Sequence, residues 1–262
     1  MILDDITKAV AKRLISDKET ASPEAMKEKA LRAPKPKDFP FFKALQKPGM
    51  SFICEVKKAS PSKGVIAKDF PYVNIAKTYE DVGASAISVL AERDYFQGSP
   101  AYVEEIAKAV AIPVLRKDFI IDTYQIYEAR AIGVSAILLI CAILDDTTLK
   151  KFFDLAKSLG LSVLVEAHDA DEVRRALAIG AKIIGVNNRN LKDFTVSLDN
   201  SFNLRLLVPT DTVFVAESGI KTADDVGALY RYGVDAVLIG ETFMRSDNKK
   251  AMLDELSSQC HG

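Results

Sequence analysis

Four charged residues, Glu55, Lys57, Lys117 and Glu166, lie in or at the ends of apolar stretches where a charge is costly. Lys117 is the plainest case. In Val114-Leu115-Arg116-Lys117-Asp118-Phe119 a stretch that reads as a buried strand ends on a lysine. A strand covered on both faces offers an ammonium no favourable place, so the charge belongs at the strand's mouth, facing a ligand. Side chains alternate along a strand, so Glu55 and Lys57 share a face, with Glu55 one layer deeper and Lys58 turned to helices or solvent. By the same alternation Lys117 shares a face with Leu115, and Arg116 points away in a structural role. Carboxylates beside ammoniums shift one another's pKa, which is what acid–base catalysis uses. The competing readings are a surface lysine at a strand end and a salt-bridge network that only closes a barrel rim. The choice rests on whether the chain brings all four to one place.

The elements that must do so recur. Gly83-Ala84-Ser85-Ala86-Ile87, Gly133-Val134-Ser135-Ala136-Ile137, Gly180-Ala181-Lys182-Ile183-Ile184 and Gly233-Val234-Asp235-Ala236-Val237 share one design. Each glycine ends an amphipathic helix and leads into an apolar strand. The spacing is about fifty residues, two strand–helix units, so four repeats imply eight units. Strands at 52–57, 114–117, 162–166 and 212–217 fall between them. Helices are expected at 74–82, 101–110, 123–132, 147–159, 170–179, 201–207, 222–232 and 251–259. Eight units make a closed (β/α)8 barrel, a TIM barrel, for which ~250 residues is usual. An open doubly wound sheet explains neither the fourfold regularity nor the lack of a Gly-x-Gly-x-x-Gly turn after the first strand. The chain of 262 residues is read as one barrel domain, 1–262, ending without a fused second enzyme.

Residues 1–48 differ, and are read as an N-terminal helical extension packed on the barrel. Ile6, Val10 and Leu14 give residues 2–18 a helical apolar stripe. Ser22-Pro23-Glu24 starts a second helix, with serine as N-cap and proline at the first helical position. Pro34, Pro36 and Pro40 then argue against regular structure, and Pro40-Phe41-Phe42 is expected near the barrel mouth. Composition bounds the partners. A net charge of −1 and a pI near 6.2 lack the basic excess of a nucleic-acid or membrane-surface binder. The longest apolar run, 136–144, is short of the ~20 residues of a spanning helix. The acidic opening Met1-Ile2-Leu3-Asp4-Asp5 argues against a secretory signal, which would start with a basic segment. Three scattered cysteines suit reduced thiols and a cytoplasmic setting, and two histidines, His168 and His261, do not assemble a metal cluster.

In a barrel of this kind the working face is the C-terminal end of the strands. The odd strands end on Glu55-Val56-Lys57, Lys117, Glu166 and Glu217-Ser218, and the sixth on Asn187-Asn188-Arg189. Loops seven and eight carry Ser218-Gly219-Ile220 and Gly240-Glu241-Thr242, the usual place for a phosphate cradle. Glycine lets backbone N–H groups approach an anion, and Glu241 fits if its N–H, not its carboxylate, faces the phosphate.

These motifs resemble those of the indole-3-glycerol-phosphate synthase family. The resemblance rests on Glu55-Val56-Lys57-Lys58-Ala59-Ser60-Pro61-Ser62-Lys63-Gly64, Tyr95-Phe96-Gln97-Gly98-Ser99, Leu115-Arg116-Lys117-Asp118-Phe119, Val165-Glu166-Ala167-His168, Asn187-Asn188-Arg189, Glu217-Ser218-Gly219-Ile220 and 240–245. It spans nearly the whole chain. It implies ring closure of 1-(2-carboxyphenylamino)-1-deoxyribulose 5-phosphate with loss of carbon dioxide and water, using no metal or redox cofactor. Lys117 would protonate the ribulose carbonyl. Lys57 would pair with the substrate carboxylate, the phosphate or both, and share the acid work. Glu166 would be the later general base, with Glu55 holding Lys57 and taking part in dehydration; which acid serves which step stays open. Asn187 and Arg189 would bind hydroxyl or carboxylate groups, with Ser60 and Glu217 supporting. Phe96 and Phe119 would wall the aromatic ring, and Ser218, Gly219, Gly240 and Glu241 would cradle the phosphate. The expected partner is thus a small phosphorylated substrate, acted on by a monomer or weak homo-oligomer.

Two positions depart from the family pattern. Ala91-Glu92-Arg93 stands where Thr-Glu-Pro is usual, which leaves that loop's conformation open, and Ala167 replaces a valine. His168 is read as structural. The rival enzyme is a barrel isomerase of phosphoribosyl anthranilate, which the resemblance implies would place cysteine and aspartate on strands one and six. Here Lys57 and Asn187 lie near those ends, and Cys54 has the wrong strand parity. A non-catalytic phosphate-binding barrel, the other rival, would need the glycine loops but not both Lys117 and Glu166.

Overall fold

The alternation of apolar residues after Ser51 resolves, in a computed structural model that describes residues 2–190 and 193–260, into eight parallel strands closed on themselves. In chain order the elements begin with helices α1 (Ile2–Thr20), α2 (Pro23–Arg32) and α3 (Pro40–Leu45). Strand β1 (Ser51–Val56) follows, then a small hairpin, β2 (Ala59–Ser60) and β3 (Gly64–Val65). Strands and helices then alternate: α4 (Tyr72–Asp81), β4 (Ala86–Leu90), α5 (Pro100–Ala109), β5 (Val114–Lys117), α6 (Thr123–Ala131) and β6 (Ala136–Ile140). The second half runs α7 (Asp146–Ser158), β7 (Ser162–Ala167), α8 (Ala170–Ala178), β8 (Ile183–Asn187), α9 (Asp199–Arg205) and β9 (Val213–Glu217). Helix α10 (Ala223–Arg231), β10 (Ala236–Ile239), α11 (Glu241–Arg245) and α12 (Lys249–Ser257) complete the chain. Strand β1 pairs with β4 (Ile53↔Ala86) and with β10 (Ser51↔Ala236), which closes the cylinder. This is the (β/α)8 barrel expected from the repeats. The four repeated glycines, Gly83, Gly133, Gly180 and Gly233, all take positive φ (101°, 84°, 83° and 79°), the left-handed turn that stops each helix.

Strand parity sorts the core. Ile53, Leu115, Leu138 and Leu164 point into the barrel. Their neighbours Cys54, Ile137, Val163 and Val165 pack outward under the helices. Arg116 also faces outward, only 2% exposed, paired with Asp118 (2.8 Å) and Glu128 (2.7 Å). Among the described residues no helix is long and apolar enough to cross a membrane.

The N-terminal extension corrects two expectations. Ser22 caps α2, its Oγ accepting from Ala25 N–H at 3.2 Å. The proline-rich stretch, however, ends in a helix: Pro40 occupies the first position of α3, where its missing N–H costs nothing. Nor does Phe41 lie near the mouth. It packs with Ala86, Ala136 and Ala236, which begin their strands. Phe42 N–H donates to Ser162 Oγ at 3.3 Å, and Ser51 Oγ to Ala44 O at 3.5 Å, again at strand starts. Small residues at the narrow opening leave a space that Phe41 fills, so α3 seals the end opposite the charged residues. Phe41 is fully buried. Phe41→Ala should therefore lower the unfolding free energy by about 3–5 kcal/mol in urea titration, with KM unchanged. The segment that does reach the mouth is α1. Its residues Ile6, Val10 and Leu14 cluster with Met26 and Tyr124, beside Phe96 and Phe119.

Candidate active site

The C-terminal strand ends enclose a cavity of about 690 Å³. Four charged side chains and one amide arrive there by inward strand parity: Glu55 from β1, Lys117 from β5, Glu166 from β7, Glu217 from β9 and the amide of Asn187 from β8. Lys57, just past β1, Ser60 on β2, Phe96, Phe119, Arg189, Ser218, Gly219, Gly240 and Glu241 line the same cavity. Ile2, Leu3 and Ile6 of α1 add an apolar wall.

The charges form two units. Lys57 Nζ lies 2.5 Å from Glu55 Oε1. Lys117 Nζ lies 3.2 Å from Glu166 Oε2 and 3.2 Å from Glu217 Oε2. Glu217, which the sequence suggests only as support, is thus the second carboxylate of the Lys117 unit. Neither of its oxygens makes an aligned hydrogen bond, so the 3.2 Å contact is an ion pair across a buried gap.

Burial and charge act against each other here. Burial alone would lower the Lys117 pKa, but the carboxylates of Glu217, Glu166 and Glu55 outweigh it and hold the ammonium above the lysine range. Burial would raise Glu166; Lys117 and then His168 overcome this and hold it below the usual carboxylate range. Glu217 goes the other way. Burial, opposed by Lys117 and reinforced by Glu166, pushes it up to about 7. At neutral pH the site therefore offers a protonated lysine, an ionised Glu166 and a part-protonated Glu217. That suits proton donation and removal in one cavity.

Two glycines make the crowding possible. A Cβ on Gly185 would stand 2.2 Å from Glu217 Oε1, and one on Gly240 would stand 2.4 Å from Glu55 Oε1 and 2.8 Å from Lys57 Nζ. Gly185 escaped the sequence reading; its signal was a glycine interrupting the apolar strand Ile183-Ile184-Gly185-Val186. Asn188 also escaped it. Its buried side chain accepts from Ser201 N–H (3.0 Å) and donates to the Ser218 carbonyl (3.2 Å), bracing a turn in which Ser218 takes φ 67°.

At the rim, Phe96 and Phe119 stand 6.0 Å apart between ring centres, tilted by 36°. Phe96 is fixed by Glu92, whose carboxylate accepts from the N–H groups of Asp94, Tyr95 and Phe96 at 2.7–3.0 Å. Arg13 of α1 pairs with Glu92 (2.7 Å) and Asp94 (2.9 Å), and Arg93 pairs with Asp17 (3.0 Å). The loop with the unusual Ala91-Glu92-Arg93 is thus bolted to α1. Asn187 Nδ2 lies 3.4 Å from Glu166 Oε1, and Asn187 Oδ1 accepts from Arg189 N–H at 3.0 Å. The Glu241 carboxylate is paired with Arg245 (3.0 Å) and Lys63 (3.8 Å). Among the described residues no group of three or more His, Cys, Asp or Glu side chains could hold a metal ion.

Known proteins resemble this chain to different depths. The chain is similar to a thiamine phosphate pyrophosphorylase from Pyrococcus furiosus, with a TM-score of 0.60 and 15% identity over 80% of this chain and 94% of that one. That likeness concerns the fold alone. Curated relatives go further. The indole-3-glycerol phosphate synthases of Ruminiclostridium cellulolyticum and Endomicrobium trichonymphae are each 54% identical over 256 residues, covering 98% of this chain and 98–99% of theirs. That of Lacticaseibacillus casei is 52% identical over 253 residues, 97% of both chains. The family model described as "Indole-3-glycerol phosphate synthase" matches residues 3–256, every strand of the barrel and each loop of the cavity included. The chain that sets Lys117 between Glu166 and Glu217 belongs to the indole-3-glycerol phosphate synthase family.

Proposed function

We propose that this enzyme converts 1-(2-carboxyphenylamino)-1-deoxyribulose 5-phosphate to indole-3-glycerol phosphate, with loss of carbon dioxide and water, in tryptophan biosynthesis. The observation that carries the residue roles is Lys117 held between two carboxylates in a cavity with an aromatic wall. The ring carbon bearing the carboxylate attacks the ribulose carbonyl carbon, and Lys117 gives its proton to the carbonyl oxygen as that bond forms. The carboxylate leaves as carbon dioxide, its bonding pair restoring the aromatic ring. The new hydroxyl then takes a proton from Lys57, paired with Glu55, and leaves as water, while Glu166 removes the carbon-bound proton whose electron pair completes the indole double bond. Lys57, oriented by Glu55, binds the substrate's carboxylate or phosphate. Phe96 and Phe119, with α1, hold the ring apart from water.

Main-chain N–H groups at Ser218, Gly219, Gly240 and Glu241 cradle the phosphate in this reading. The pairing of the Glu241 carboxylate with Arg245 and Lys63 supports it, because the negative charge is engaged at the rim. Three free cysteines suit a cytoplasmic enzyme, working as a monomer or weak homo-oligomer. The purified chain should produce indole fluorescence from the carboxyphenylamino substrate without added metal or nucleotide. No turnover, with phosphate-ligand binding intact, would favour the non-catalytic barrel.

A further inference from the structure

Strand β7 ends in Glu166-Ala167, and the next residue, His168, turns its ring back toward the carboxylate. Its Nδ1 lies 3.0 Å from Glu172 Oε2, on the first turn of α8, and its backbone N–H donates to that same oxygen at 2.8 Å. The His168 carbonyl is held by Asn200 Nδ2 at 3.2 Å. Glu172 is itself placed, its N–H donating to the helix cap Asp169 at 2.9 Å. The ring is thereby fixed from several sides. Its other nitrogen, Nε2, is buried without an aligned hydrogen bond and lies 3.3 Å from Glu166 Oε1.

We propose that His168 is a positioning residue: clamped by Glu172, it acts as an imidazolium that fixes the direction and basicity of Glu166. With Nδ1–H committed to Glu172, a neutral ring would aim the Nε2 lone pair at a carboxylate oxygen. Protonation replaces that repulsion with an N–H and a charge. The groups facing the ring agree. The side chains that meet it are two carboxylates, Glu166 from β7 and Glu172 from α8, while the Asn200 amide of α9 holds the His168 backbone carbonyl. Burial of the ring opposes the charge, but these two carboxylates outweigh it and raise its pKa to about 10. Glu166 is then bracketed by two cations, Lys117 at Oε2 and His168 at Oε1. Once Lys117 has passed its proton to substrate, one cation is gone and Glu166 becomes the stronger base that proton removal requires. His168 keeps both of its protons throughout and holds the carboxylate aimed. This rests on the reading of Glu166 as the general base.

The test uses the intact chain, whose two histidines are His168 and His261. Protein labelled with ¹⁵N-histidine gives two ring systems, and His168→Gln assigns them. At pH 8 both ring nitrogens of His168 should be protonated, and Glu172→Gln should bring its titration down toward neutrality. His168→Gln should move the acidic limb of kcat upward by roughly one unit or more, since a cation within ~4–6 Å lowers a carboxylate by ~1–3 units. His168→Lys, which returns a cation, should bring the limb back. A neutral ring at pH 8, or an acidic limb unmoved in both His168→Gln and Glu172→Gln, would overturn the proposal. Wild-type turnover in Glu166→Gln would instead remove the base assignment beneath it, a failure visible without either histidine variant.

Discussion

Lys117→Ala should cut kcat by about 10²-fold or more, the range for a positioned acid or base, with a smaller change in KM. The loss has two parts. The proton donor for the carbonyl oxygen is gone, and Glu166 and Glu217 are left with no ammonium between them. Burial already pushes Glu217 up to about 7 with Lys117 present. Without it, two buried carboxylates cannot both stay ionised, so one takes a proton at neutral pH and the base is compromised with the acid. Stopped-assay indole fluorescence across pH 5–9 would show a lowered plateau and an acidic limb moved upward. Wild-type-like turnover would refute the role given to this lysine.

Glu166→Gln should also cut kcat by about 10²-fold or more, for a different reason. The amide keeps the shape of the side chain and can still meet Asn187, so substrate should bind with little change. What disappears is the proton acceptor. Lys117 retains Glu217, so it stays charged and the acid step survives. Single-turnover experiments on this variant should therefore build up a ring-closed species ahead of indole, whereas Lys117→Ala should build up none. Combining the two substitutions should cost less than the product of the single losses, because the two side chains form one pair at 3.2 Å. A full multiplicative loss would show that they act independently.

How much of this could be read from the chain depends on how local each signal is. Helix-ending glycines and strand parity are local, so the barrel and the inward aim of Glu55, Lys117 and Glu166 were legible. The turn of Arg116 away from the site followed from the same parity. Contacts between distant segments left no such trace. Arg13 reads as an ordinary helix charge until α1 lies against the loop of Glu92. Phe41 looks like an aromatic bound for a ligand site until the small strand-start residues open a space for it. Gly185 shows only a missing side chain, and its meaning depends on a carboxylate at the end of the next strand, β9. Glu217 was legible as a site residue but not as a partner of Lys117, because that pairing depends on distances across the barrel.

The extension touches both ends of the barrel, α1 at the mouth and α3 at the floor, and this bears on how the molecule is made. Residues 1–48 leave the ribosome before any strand of the barrel. The floor that receives Phe41 includes Ala236, and β1 has no second neighbour until β10 is synthesised. Helices α1 and α2 can pack on Tyr124 of α6 as soon as that helix forms, but Phe41 of α3 must wait, uncovered, until the last strand emerges. Such long-range closure slows folding and leaves the nascent chain open to aggregation, so α3 is where a chaperone would find it. A circular permutant that moves residues 1–48 behind β10 should release that wait and fold faster at the same final stability.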